Sequence, residues 1–243
     1  MYLGWTNLFD FLISPDGRRI EYRRLRRASR ESFSTYLLSQ VLSFSLLALG
    51  REPLHGTVVV VDGGAVAFLG DTGYGKSTLG AAMLARGFPV LTDDLVSLAP
   101  RGGGGFLVHA GVPRIKLFPA VSRAVLGGRE GTRMNPGTSK MVLPLDQHRA
   151  SRRAAPLRAI YVLSDPTLPS ARIAIRRLDP AAAMIETVRN TFNTIVTGPE
   201  RLANQFRLAS AVAAAVPVKR LAYPRLLAKL PSLCDAIEKD LAS

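Results

Sequence analysis

One cysteine, three histidines and 18 acidic residues among 243 remove several classes of protein at the outset. A lone thiol, Cys234, forms no disulfide framework and no multi-cysteine zinc site, and a reducing, cytoplasmic setting is the expectation. His55, His109 and His148 are too far apart to suggest a metal triad by spacing. Long apolar runs are missing too. The nearest, "FSTYLLSQVLSFSLLALG" at residues 33–50, holds four serines, a threonine and a glutamine, with leucines at helical spacing. It reads as a buried or partly buried helix rather than a membrane span. The first residues, "MYLGWTNLFDFLIS", lack the basic segment of a secretory signal.

Acid is scarce against 32 Lys and Arg, and the net charge is +14. Arg18, Arg19, Arg23, Arg24, Arg26, Arg27 and Arg30 face a single Glu21, and residues 101–158 hold eleven Lys and Arg against Glu130 and Asp146. Two readings stay open: a solvated arginine-rich face, or a surface that attracts an acidic partner. Aromatic residues make up 7% and do not interleave with the arginines, so nucleic acid is not the expected partner.

Two strands, "FDFLI" and "RIEYRRL", joined by the turn "SPDG", come before the apolar helix. "GTVVVVDGGAVAFLG" predicts a tight hairpin around Asp-Gly-Gly. A helix closed by Gly87 follows, then the strand "FPVLTDDLVSLAP" with an acidic pair at its end. Residues 120–140 read as loop with some helix, and "PLRAIYVLS" and "ARIAIRRL" as strands. From Pro180 the chain turns helical over "PAAAMIETVRNTFNT", "GPERLANQFRLASAVAAAV" and "PRLLAKLPSLCDAIEKDLA", with the strand "VPVKRLAY" before the last helix. Phe192 and Phe206 are expected in the core, and Cys234 as a small buried hydrophobe.

The phosphate chemistry is carried by "GDTGYGKS" between a strand and a helix. It fits G-x-x-x-x-G-K-[ST]. Gly70, Gly73 and Gly75 let the backbone turn its amides toward an anion, with Asp71, Thr72 and Tyr74 between them. The helix that opens at Lys76, Ser77 and Thr78 points its positive end at the same place. Lys76 neutralises phosphate oxygens and Ser77 offers a hydroxyl to Mg²⁺. Asp93 and Asp94 follow on the next strand; one could bind the metal and the other accept a proton from an attacking hydroxyl. Adjacent side chains on an extended segment point opposite ways, so the two are not expected to share one task. Arg114, Lys116 and Lys140 are candidates for the terminal phosphate or a substrate carboxylate, Arg114 foremost for its planar fork.

The order of these motifs, from His55-Gly56 through Gly70–Ser77 and Arg86-Gly87 to Asp93-Asp94, resembles the core of bacterial HPr kinase/phosphorylase. "GVPRIKLF", "PLRAIYVL" and "VPVKRLAYPR" resemble segments of its small standalone branch, found beside lasso-peptide and other ribosomal-peptide gene clusters. The resemblance implies an α/β fold: a phosphoenolpyruvate-carboxykinase-like P-loop kinase core with C-terminal helices at 51–243 and a small β/α appendage at 1–50. It also implies an ATP- and Mg²⁺-dependent kinase acting on a serine of a peptide or small protein. In that scheme Asp93 is the base, Asp94 and Ser77 hold Mg²⁺, and His55 lies near the phosphates. A homo-oligomer is compatible. About fifty residues precede the core and no Glu-x-Arg-Gly segment follows Asp94, which leaves HPr as substrate and phosphorolysis open. A nucleotide-binding regulator and a small-metabolite kinase are the alternatives.

Overall fold

The computed structural model describes residues 1–25, 28–168 and 170–243. Arg26 and Arg27 of the basic stretch lie outside the described residues.

The chain starts with an antiparallel sheet of β1 (Tyr2–Trp5), β2 (Phe9–Ile13) and β3 (Ile20–Arg24). β1 was not expected from the sequence, since "YLGW" is short and its alternation ends after four residues. Phe9, Phe11 and Ile13 alternate inward along β2. They pack against a helical segment made of α1 (Arg30–Tyr36), a π-helical turn (Leu37–Val41) and α2 (Leu42–Ala48). Ser29 caps α1, its hydroxyl accepting from the Ser32 amide at 3.0 Å.

The larger core is built on the hairpin of β4 (Leu54–Val61) and β5 (Gly64–Leu69). Asp62 and Gly63 both take positive φ, 48° and 76°, which suits the two-residue turn that the Asp-Gly pair predicts. β5 leads through the glycine loop into α3 (Lys76–Ala85), and the chain turns at Gly87 with φ 94°. β6 (Val90–Val96) then returns along the other edge of β4. The acidic pair sits inside this strand and not at its end, because the ladder to β4 continues as far as Val96.

The short pair β7 (Leu98–Pro100) and β8 (Phe106–Val108) comes next, followed by β9 (Arg114–Leu117). Residues 120–140 hold α4 (Pro119–Leu126) and β10 (Thr132–Arg133) before β11 (Met141–Pro144). β10, β11 and β9 form a second small sheet. The remaining elements are β12 (Ala155–Leu163), β13 (Ala174–Arg177), α5 (Pro180–Arg189), α6 (Pro199–Ala215), β14 (Val218–Ala222) and α7 (Leu230–Ala242).

The main sheet runs β13-β14-β12-β5-β4-β6, with β5 parallel to β12 and β12 parallel to β14. Its central strands are apolar on both faces. Val66 and Phe68 of β5 face Leu79 and Met83 of α3 and Leu233 and Ile237 of α7. Ala65, Ala67 and Leu69 face Val212 of α6 and Ala183 of α5. Full burial of a side chain such as Phe68 is worth about 1.5–3 kcal/mol. Cys234 is buried among these residues as expected. The fold is therefore the mixed α/β P-loop arrangement with C-terminal helices that the sequence predicts.

Further expectations fail in the C-terminal third. The helix from Pro180 ends at Arg189 and residues 190–196 form an irregular turn, where Arg201 takes up backbone carbonyls. Phe206 is 59% exposed on α6, while Phe192 is half-buried against the imidazole of His55, with ring centroids 5.0 Å apart.

Candidate functional site

Three glycines shape the loop that leaves β5: φ is 149° at Gly70 and 88° at both Gly73 and Gly75. L-residues rarely adopt these angles, so the glycine spacing is a backbone requirement. The Asp71 carboxylate accepts from the Thr72 amide at 2.8 Å. Lys76 opens α3, and its ammonium reaches back to the carbonyls of Gly70 (2.8 Å) and Asp71 (2.9 Å). Burial pulls the Lys76 ammonium down to about 8.

Asp93 is the hub below the loop. One oxygen accepts from the hydroxyls of Thr57 (2.7 Å) and Ser77 (2.9 Å), and the other from the Lys116 amide at 2.9 Å. Asp94 stays in the ladder to β4 but takes φ 77°. That angle undoes the expected alternation, and both carboxylates reach Lys116, Asp94 through the buried ammonium. The second oxygen of Asp94 has no hydrogen-bond partner among the described residues.

These groups border a cavity of about 350 Å³ that holds Lys76, Ser77, Thr78, Asp94, Lys116 and Lys140. The Lys140 ammonium also sits 5.3 Å over the ring of Phe118 on its wall. Arg114 does not enter this cavity: its guanidinium is tied to Glu31 at 3.2 Å and to the Ser34 carbonyl of α1. His55 lies between this cavity and a larger one of about 860 Å³, which runs from Gly70–Thr72 to residues 189–195. Burial, with the Lys76 charge second, pushes the His55 imidazole down to about 4, so it is neutral at pH 7.

The donor set suits Mg²⁺ bound mostly through phosphate oxygens. The hydroxyls of Ser77 and Thr78 line the cavity at the start of α3, Asp93 stands behind Ser77, and no cluster of three or more His, Cys, Asp or Glu exists among the described residues.

Several contributors were not legible beforehand. Thr57 holds Asp93 from β4, and Ser39 and Gln40 of the π-helical turn line the smaller cavity. Arg225 grips the loop at Tyr74 from a position 151 residues later in the chain. The π-helical turn carries a weak signal, since such turns collect at functional sites. Arg225 closes the segment "VPVKRLAYPR", but its contact with the loop was not legible there, because its partners are mostly main-chain carbonyls.

The HPr kinase/phosphorylases of Limosilactobacillus reuteri (strain DSM 20016) and L. reuteri subsp. reuteri (strain JCM 1112) are each 36% identical to this chain over 69 residues. Over those residues the chain is similar to HPr kinase/phosphorylase. The match spans 28% of this chain and only 22% of the length of the relatives. Among solved structures, the Hpr(Ser) kinase/phosphatase from Coxiella burnetii aligns with a TM-score of 0.44 at 13% identity, over 79% of this chain and all of that one. No family model matches the chain. No helix among the described residues is long and apolar enough to cross a membrane.

Proposed function

We propose that this chain is an ATP- and Mg²⁺-dependent kinase that transfers the γ-phosphate to a serine hydroxyl of a peptide or small protein. One observation carries the reading: a carboxylate with a free oxygen, Asp94, shares a cavity with Lys76, Ser77 and Lys140. A site that only stores a nucleotide has no need of a proton acceptor beside its phosphate loop. The similarity to HPr kinase/phosphorylase points the same way and favours ATP as donor.

In this reading Lys76 exchanges the carbonyls of Gly70 and Asp71 for oxygens of the β- and γ-phosphates. Ser77 donates its proton to Asp93 and keeps its lone pairs for the metal. Mg²⁺, when bound, supplies charge neutralisation on the phosphate oxygens. Asp94 takes the proton of the acceptor hydroxyl as the new O–P bond forms and the bond to the departing ADP oxygen breaks. This reverses the assignment the family resemblance gives the two aspartates, and the Ser77–Asp93 hydrogen bond is the reason. Neutral His55, at the junction of the two cavities, orients the acceptor without adding charge.

The ammonium of Lys76 marks the terminal phosphate's end of the loop, at Gly70 and Asp71. The larger cavity opens there, and its 860 Å³ suits a peptide segment better than a small alcohol. A ribosomal precursor peptide, as in lasso-peptide clusters, is an acceptor of this kind.

The test offers serine-containing peptides of varied charge, serine and small polyols, each with Mg²⁺ and γ-labelled ATP. Label on peptide serine supports the reading. Label on free alcohols alone assigns a metabolite kinase instead.

A further inference from the structure

We infer that Arg225 is a positioning residue that locks one peptide plane of the phosphate loop in its phosphate-binding orientation. This rests on the reading of that loop as a phosphate site.

Arg225 follows β14, three residues past its end. Its guanidinium carbon lies 4.0 Å over the ring of Tyr223, a side chain that is 6% exposed. One terminal nitrogen donates to the Tyr74 carbonyl at 2.6 Å and also to the Tyr223 hydroxyl. The other donates to the Ser164 carbonyl just beyond β12. The fork therefore ties the tip of the loop to the ends of two parallel strands of the main sheet.

Tyr74 is held on its other side as well. Its ring lies over Gly70, where a Cβ would stand 3.0 Å from it, and Asp165 faces its phenol. Gly75 is packed just as closely, since a Cβ there would come within 3.1 Å of the Tyr223 hydroxyl oxygen.

The consequence follows from peptide geometry. In a planar trans peptide the carbonyl and the next amide point in opposite directions. A Tyr74 carbonyl held outward by Arg225 turns the Gly75 N–H inward, toward the mouth of the loop. Among the described residues no protein acceptor meets that N–H. With Gly75 at φ 88°, no side chain opposes rotation of this peptide. The flipped form would aim a carbonyl at the phosphates and repel them. Arg225 blocks the flip from outside the cavity, so it tunes affinity without touching the ligand.

The experiment measures binding of ADP and of inorganic pyrophosphate by calorimetry. Arg225→Ala is expected to weaken both by about tenfold or more, as for loss of charged hydrogen bonds. Added guanidinium at millimolar levels should restore much of the loss. Arg225→Lys should not, because a point charge cannot bond two carbonyls in a fork. Tyr223→Phe keeps the stacked ring and should bind within about twofold of wild type, a change worth under half a kcal/mol. If Arg225→Ala is poorly folded, Arg225→Lys with its melting temperature carries the test.

Wild-type affinity in Arg225→Ala, or a loss that guanidinium leaves untouched and that tracks melting temperature, overturns the proposal. Pyrophosphate binding by wild type and its loss in Lys76→Ala check the underlying loop reading separately.

Discussion

Lys76 carries a positive charge in a place that resists it. Its ammonium is buried against two carbonyls and its affinity for a proton falls from the usual 10.5 to about 8. A phosphate chain would raise that affinity again, so binding should take up protons once the pH exceeds 8. Around pH 7 the lysine is charged in both free and bound protein and the terminal phosphate of ADP is ionised, so the lysine's own contribution to the pH dependence should be small there. Above pH 8 affinity should drop, by at most about tenfold per pH unit. Calorimetry in buffers of different ionisation enthalpy reads the proton uptake directly; its absence up to pH 10 would count against the account. His55 works in the opposite range. Its native affinity for a proton lies near pH 4 against an ordinary 6.5, so native protein binds fewer protons than unfolded chain between those values. Stability should therefore fall as pH drops from 6.5 to 4, by up to about 3 kcal/mol, and His55→Asn should lessen that fall in urea titrations. The glycines and Lys76 were legible because each answers a local backbone or charge requirement. The left-handed backbone at Asp94 was not, since "TDDL" reads as plain strand and nothing local announces φ 77°.

At the scale of elements, the decisive contact is α3 against β4. Gly80 lets the helix approach so closely that a Cβ would stand 2.5 Å from Cγ2 of Thr57, which is fully buried. Thr57 in turn donates to Asp93. Gly80→Ala gains about 1 kcal/mol of helix propensity but forces overpacking that costs about 1–3 kcal/mol. We expect net destabilisation in urea titrations together with weaker ADP binding, because the displaced Thr57 pulls Asp93 from Ser77. A stabilised variant with unchanged binding would show that this contact does not position the site. Strands β4, β5 and β12 and the helices α3 and α7 follow from hydrophobic pattern and turn residues. The end of α5 did not, because "NTFNT" continues the helical pattern while Arg201 draws those carbonyls out of it. Phe206 was misjudged for a related reason: periodicity finds an apolar face but cannot say whether anything covers it.

For the whole molecule, the first 48 residues hold their own apolar cluster yet reach the site. Gln40 donates to Asn193 at 2.8 Å, Asn193 donates to Ser43 at 2.8 Å, and Glu31 pairs with Arg114. Asn193 itself takes φ 55°. The turn that carries it is held by Arg201, whose guanidinium meets Glu52 at 3.3 Å with the side chains 9% and 2% exposed. Removing one partner of such a pair strands a buried charge, so Arg201→Met should cost about 3–5 kcal/mol. Glu52→Gln added to it should recover part of that in denaturant titrations; strict additivity would mean the two side chains do not interact. None of this was visible in the sequence, where Glu52 and Arg201 stand 149 residues apart. The charge of +14 was visible, but its meaning was not: Lys76, Lys116 and Lys140 line the smaller cavity, while Asp71, Asp165 and Glu186 accompany Arg189 and Arg220 around the larger one.

The central claim is that this site moves a phosphate and does not merely hold it. The most direct measurement follows γ-labelled ATP, with Mg²⁺ and a pool of serine peptides, in wild type, Asp94→Asn and Lys76→Ala, alongside ADP affinity for each. The account predicts labelled peptide from wild type alone, ADP affinity kept in Asp94→Asn, and affinity lost in Lys76→Ala. Full label transfer by Asp94→Asn would contradict it.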